Sequence, residues 1–163
     1  MRRYLLTTSI VLGLCFIALI GCAEPGPTVA QARVPPGKPG TARIWFLRGS
    51  ISPNPAVQAF APMIYVNGAP IATIPQSAGF YRDFAPGSYT FTVQPFGLPT
   101  AQATTIQLLA GSANYLNVDW VASWTQGYPP ASWNFVPNTF AIVPMTPRVA
   151  EAYLSNLAYL GER

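Results

Sequence analysis

The chain reads as an all-β protein: an antiparallel β-sandwich of about seven strands, of immunoglobulin or transthyretin type, followed by a C-terminal α-helix. Three observations predict this. From residue 41 onward apolar residues recur at a spacing of two. The turn pairs Asn67-Gly68, Pro86-Gly87 and Ala110-Gly111 interrupt that alternation at intervals, and the spacing changes to three and four only after Pro147. Short strands with turn signals about every 8–12 residues suit a sandwich.

Residues 1–21 precede this domain as a leader. Arg2 and Arg3 give a basic start, and Ile10 to Ile20 form an apolar core of eleven residues. A secretory signal has an apolar region of roughly 7–15 residues. A membrane-spanning helix wants roughly 20, and Thr7, Thr8 and Ser9 shorten the stretch. Leu19-Ile20-Gly21-Cys22 closes the leader as a lipobox, with cleavage expected between Gly21 and Cys22 and lipid on the Cys22 thiol. An uncleaved anchor over Tyr4 to Ala23 is the alternative. Cys15 leaves with the leader. One acyl chain anchors only marginally, at roughly 0.8 kcal/mol per buried CH₂, so the expected diacylglycerol and N-acyl chains together give permanent attachment. Ala23, where an inner-membrane lipoprotein of the enteric type carries Asp, favours the periplasmic face of the outer membrane.

The mature chain, residues 22–163, is long enough for one domain with a proper core. Once Cys22 is acylated no thiol remains, so disulfides and thiolate metal sites are not expected. Seven basic residues face five acidic ones after the leader is removed, and Arg33, Lys38, Arg43, Arg48, Arg82, Arg148 and Arg163 are scattered. A nucleic-acid surface needs a basic patch or stripe, and none is expected. Charged residues are 9% of the chain against 50% hydrophobic, which suits a domain lying against a membrane or a partner.

Residues 22–40 read as the lipidated cysteine and a tether, with Pro25, Pro27, Pro35, Pro36 and Pro39 among three glycines. Extended at about 3.1 Å per residue, the eighteen residues after Cys22 would lift the domain by at most roughly 55 Å. The domain itself is expected over 41–163. Ala42 to Arg48 alternates as a strand. Met63–Val66 and Ile71–Ile74 flank Asn67-Gly68, the strongest short hairpin signal, although Pro70 suggests a loop longer than two residues. Phe80–Phe84 and Ser88–Gln94 are expected to join through Pro86-Gly87. In the second, Tyr89, Phe91 and Val93 share one face and the Ser, Thr and Gln residues the other, as in a sheet with one buried side. Thr104–Leu109 and Tyr115–Trp120 are expected to pair around Ala110-Gly111, and Phe140–Val143 adds a last strand.

Then the period changes. Thr146 precedes Pro147 at the first helical position, where its missing N–H costs nothing. Ala150, Tyr153, Leu154, Leu157 and Leu160 recur at helical spacing, and Gly161 is placed to stop the helix. The Tyr153/Leu154/Leu157 stripe is expected over a sheet edge or open end.

These landmarks resemble a family of bacterial lipoproteins built on a domain of unknown function. The residues that carry the resemblance are Ala42 to Arg48, Tyr65-Val66-Asn67-Gly68, Gly79-Phe80-Tyr81, Pro86 to Phe91, and Leu109-Ala110-Gly111 with Tyr115-Leu116. It spans roughly 42–160 and implies a small lipid-anchored β-sandwich. It implies no catalytic residue, and 121–138 has no counterpart in the pattern.

Chemistry is sparse. There is no histidine, which removes the usual general base and the commonest metal ligand. Phosphate- and dinucleotide-binding glycine motifs are also absent, so no metal, cofactor or catalytic residue is expected. The alternative is a wall-active hydrolase using Asp83 and Asp119, which needs the two carboxyls about 5–10 Å apart across a cleft. Arg43 and Arg48 bracket the first strand, either gripping an anion or standing as solvated edge charges that deter pairing. The densest aromatic run is Trp120, Trp124, Tyr128, Trp133 and Phe135, with Gly127 and three prolines between 121 and 138. Loops beyond about 12–15 residues are uncommon unless functional or disordered. Trp124, Tyr128, Trp133 and Phe135 are therefore the candidate binding loop, for a cell-wall glycan or an envelope protein. The competing expectation folds them back as core. The expected role is a non-catalytic binding or structural module.

Overall fold

A computed structural model describes residues 26–49, 58–94, 103–122, 125–126, 134–135 and 139–163. Strands Ala42–Arg48 (β1), Ala78–Phe84 (β4), Ala113–Ala122 (β7), Thr139–Met145 (β10) and Ala158–Glu162 (β11) make a five-stranded sheet in the order β10-β7-β1-β4-β11. Met63–Val66 (β2), Ala69–Thr73 (β3), Gly87–Gln94 (β5) and Thr104–Leu108 (β6) make a second sheet, ordered β3-β2-β5-β6. Thr125–Gln126 (β8) pairs with Asn134–Phe135 (β9) in a small ribbon, and the helix α1 is Pro147–Leu154.

The two larger sheets pack face to face, so the β-sandwich is present, with nine strands in these two sheets among the described residues. The smaller sheet is antiparallel throughout. The larger is mixed, because β1 runs parallel to β7 and β4 parallel to β11. Parallel neighbours need long crossovers. The chain supplies one by passing through the smaller sheet before β7, and another by carrying α1 across before β11.

Alternation along β1 explains the layers. Ala42, Ile44 and Phe46 point into the sandwich, where they meet Ile64, Phe80, Phe91, Leu108, Leu116 and Phe140. The Phe46 ring stacks on Phe80 at 4.9 Å and meets Phe91 edge-on at 5.9 Å. Trp45 and Leu47 point the other way, into a second cluster with Val29, Tyr81, Ala150 and Leu157. The larger sheet is thus covered on both faces, which is why Ile44-Trp45-Phe46-Leu47 is a continuous apolar run.

Several turns depart from expectation. Asn67-Gly68 closes β2–β3 as a two-residue turn, with φ of 50° and 81° at the two positions. Pro70 requires no longer loop, because β3 is an edge strand where a missing N–H leaves no ladder unpaired. Pro86-Gly87 and Ala110-Gly111 close no hairpins. Each carries the chain from one sheet to the other: β5 pairs with β2 and β6, while β7 pairs with β1 and β10. At the first corner Phe84 packs on Tyr89 at 5.2 Å and on Phe91 at 6.0 Å.

The helix is shorter than its apolar spacing predicts. It ends at Leu154, with Ser155 and Asn156 in a turn. Leu157 is buried in that turn, whereas Leu160 belongs to β11 and packs against the inner core. Gly161, at φ 83°, sits inside β11 near an irregularity in its register and does not stop the helix. α1 covers the outer face of the larger sheet rather than an edge. Among the described residues no helix is long and apolar enough to cross a membrane.

The registers also gather the long connections. Segments 49–62, 95–103 and 123–138 all leave and return at the end of the sandwich marked by Arg48 and Ala78.

Candidate functional site

Gly21, Cys22, Trp124, Tyr128 and Trp133 lie outside the described residues. Phe135 is described through its backbone, opposite Thr125 in the ribbon. The 121–138 segment, expected to carry no strand, therefore holds the end of β7 and a short ladder. At its root the buried Trp120 Nε1 has no hydrogen-bond partner among the described residues.

The proposed carboxylate pair does not meet. Asp83 is opposite Arg43, and Arg43 is opposite Ala113 across the other flank of β1. Asp119 lies six residues further along β7, a displacement of about 20 Å at strand rise. A two-carboxylate hydrolase needs them within about 10 Å. Asp83 is moreover committed elsewhere.

Its partner is Arg43, and both sit on the outer face of the central strands. Arg43 Nε donates to Asp83 Oδ1 at 2.7 Å and Arg43 Nη2 to Oδ2 at 3.0 Å, a two-point contact. The Asp83 side chain is 1% exposed and that of Arg43 11%. The guanidinium lies 3.9 Å from the centroid of the Tyr81 ring. Its remaining N–H groups donate to the carbonyls of Pro35 and Pro36, and the Lys38 amide donates to Asp83 Oδ2 at 3.2 Å. The Arg43 hydrogen bond holds the Asp83 carboxyl below its ordinary range, against the opposing effect of burial, and the same bond raises Arg43. Burial likewise raises the neighbouring Tyr159 phenol.

What this ion pair grips is the segment expected to be a free tether. Tyr159 N–H donates to the Pro27 carbonyl at 3.0 Å, and Val29 N–H to Leu157 at 2.9 Å. Ala30 N–H reaches the Leu154 carbonyl at 3.2 Å, satisfying one of the orphan acceptors at the end of α1. Val29 is 4% exposed. It fits beside Gly79, where a side-chain carbon would come within 3.3 Å of it and 3.1 Å of Leu47. Lys38 pairs with Glu162 at the far end. From Pro27 onward the Pro-rich stretch is thus a strap laid along β11 and over the sheet.

Arg48 is likewise no edge charge, since β1 is the central strand. Its even-numbered position points it inward, 4% exposed, with its guanidinium 4.9 Å from the centroid of the Phe140 ring. Nη1 donates to the carbonyls of Ile74 and Phe60, and Phe60 stacks on Phe140 at 5.9 Å. Burial lowers the Arg48 pKa from its ordinary value. The side chain ties the roots of two connections to the sandwich end where the long segments converge.

Sequence reasoning missed the strap: the burial of Val29 in it, the room that Gly79 on β4 leaves for Val29, and the role of Asp83 on β4 as its clamp rather than as an acid paired with Asp119. The available signal was small: one valine in a polar stretch, and one acid two places from a tyrosine on a strand. Among the described residues no three acids, histidines or cysteines are grouped to hold a metal ion. No protein-family model matches the chain, and no curated protein matches it in sequence.

Proposed function

We propose that this is a lipid-anchored protein of the bacterial envelope, cleaved before Cys22 and facing the periplasm from the outer membrane. Its sandwich is a non-catalytic binding or structural module. The observation that carries the reading is Leu19-Ile20-Gly21-Cys22 closing the eleven-residue apolar core Ile10 to Ile20 after a basic start. The remoteness of Asp83 from Asp119 argues for binding over hydrolysis. Recognition is assigned to Trp124, Tyr128, Trp133 and Phe135, because aromatic anchors with amide and hydroxyl neighbours suit sugars or protein partners.

Mass spectrometry of the N-terminal peptide from the membrane fraction tests the anchor. The expected result is Cys22 at the amino terminus carrying diacylglyceryl and acyl groups; an intact leader with an unmodified thiol sinks it. Crosslinking in intact cells tests recognition. Joint replacement of Trp124, Tyr128 and Trp133 by Ala should abolish the crosslinked product and leave the melting temperature unchanged, whereas loss of folding would assign these rings to the core.

A further inference from the structure

We propose that the docked strap Pro27–Lys38 holds the β11 edge of the sandwich against the lipid headgroups, so that this edge is the membrane-contacting surface. The proposal rests on the lipidation of Cys22 put forward above. Its own evidence is separate. Thr28 bridges to Ala158, Val29 is buried, and Arg43 and Asp83 fasten the strap through the Pro35 and Pro36 carbonyls and the Lys38 amide. The strap is therefore fastened to the domain from Pro27 onward and not only from Gly40.

The consequence is one of length. Pro27 is five residues on from Cys22, a reach of at most about 18 Å when fully extended. An undocked tether would reach roughly 55 Å. Pro27 lies beside Tyr159 on β11, at one margin of the larger sheet. β10, at the other margin, is four strand spacings away, about 19 Å. A leash shorter than the sheet is wide keeps its own margin nearest the bilayer. Arg163, directly after β11, and Arg33, on the strap, are exposed, cations suited to anionic headgroups, while Lys38 is held by Glu162. Partners would then be met at the membrane surface, not deep in the periplasm.

The test uses the mature chain, residues 22–163, coupled through Cys22 to a maleimide phospholipid in nanodiscs doped with a gadolinium-chelate lipid. Amide signals of Ala30 and Asn156 should be lost while that of Val143 on β10 is retained. A Gly/Ser insert of about twelve residues between Gly26 and Pro27 adds roughly 20 Å of average reach and should restore the lost signals without touching the fold. Equal attenuation at both margins, attenuation at neither, or an insert that changes nothing would overturn the proposal. Because the lipid is attached chemically, absence of acyl groups in cells would refute the anchoring reading while leaving this measurement decisive.

Discussion

The two faces of the five-stranded sheet are held by different physics. The inner face is apolar packing: Ile44, Phe46, Phe80, Leu116 and Phe140 are each fully buried against the second sheet. The outer face carries fewer apolar residues and is completed by backbone hydrogen bonds to a strap, with the Arg43–Asp83 pair as its clamp. Burial of hydrocarbon depends little on pH and is shared over many contacts. A clamped strap depends on a few groups and can open alone. The inner layer therefore sets global stability, while the outer layer sets how the chain leaves the fold.

The largest expected effect comes from breaking the inner face. Phe46→Ala removes a fully buried ring that touches both Phe80 and Phe91, and such truncations cost about 3–5 kcal/mol. Urea unfolding should show one cooperative transition at a lower midpoint, with inner and outer amides losing protection together. Survival of the outer layer after the inner one melts would contradict the hierarchy.

Asp83→Asn strikes the clamp instead. Arg43 keeps the Pro35 and Pro36 carbonyls and the Tyr81 ring, so the cost is that of losing a charge-assisted hydrogen-bonded pair, roughly 1.5–3 kcal/mol. Here the loss should concentrate in the strap, with faster hydrogen exchange at Val29 and Ala30 than at Phe46. The pH dependence sharpens this. Arg43 holds the Asp83 carboxyl below its ordinary value of 3.8, so the pair contributes in full above that value and is lost as pH falls through the depressed one. Strap exchange should be insensitive to this pair near neutrality, accelerate below about pH 4, and show no such step in Asp83→Asn.

The same contrast governs what was legible in the sequence. Period-two alternation in Tyr89, Phe91 and Val93, and in Ile44 and Phe46, reports which side meets the inner core. Asn67-Gly68 reports its hairpin because both residues tolerate positive φ. Pro86-Gly87 uses equally local turn chemistry, yet whether such a pair closes a hairpin or turns a corner is decided by distant packing, here of Phe84 on Tyr89 and Phe91. Leu157 and Leu160 keep helical spacing in both a helix and the turn-and-strand that replaces it. The strap was opaque for another reason: its contacts are mostly main-chain groups of Pro27, Val29 and Ala30, which any sequence possesses. The Asp83 and Asp119 pairing fails on register alone, because spacing along a sequence does not report which strands become neighbours.

The smallest expected effect is also the most selective. Gly79 lies on β4 under the strap, opposite Leu47. An added methyl there would sit 3.1 Å from Leu47 Cδ2, 3.3 Å from Val29 Cγ2 and 3.6 Å from Leu157 Cδ1. The first two contacts are tighter than comfortable, so one neighbour must yield. Overpacking of this kind costs about 1 kcal/mol or somewhat more, and Val29 is the softer wall because it belongs to the strap and not to a five-stranded ladder. Gly79→Ala should leave the urea midpoint nearly unchanged but raise exchange at Val29 and Ala30. In the lipid-coupled protein it should weaken gadolinium attenuation at those amides as the leash lengthens. A midpoint drop as large as that of Phe46→Ala, with no selective change in the strap, would mean that the two faces are one cooperative unit and that the strap has no independent freedom to open.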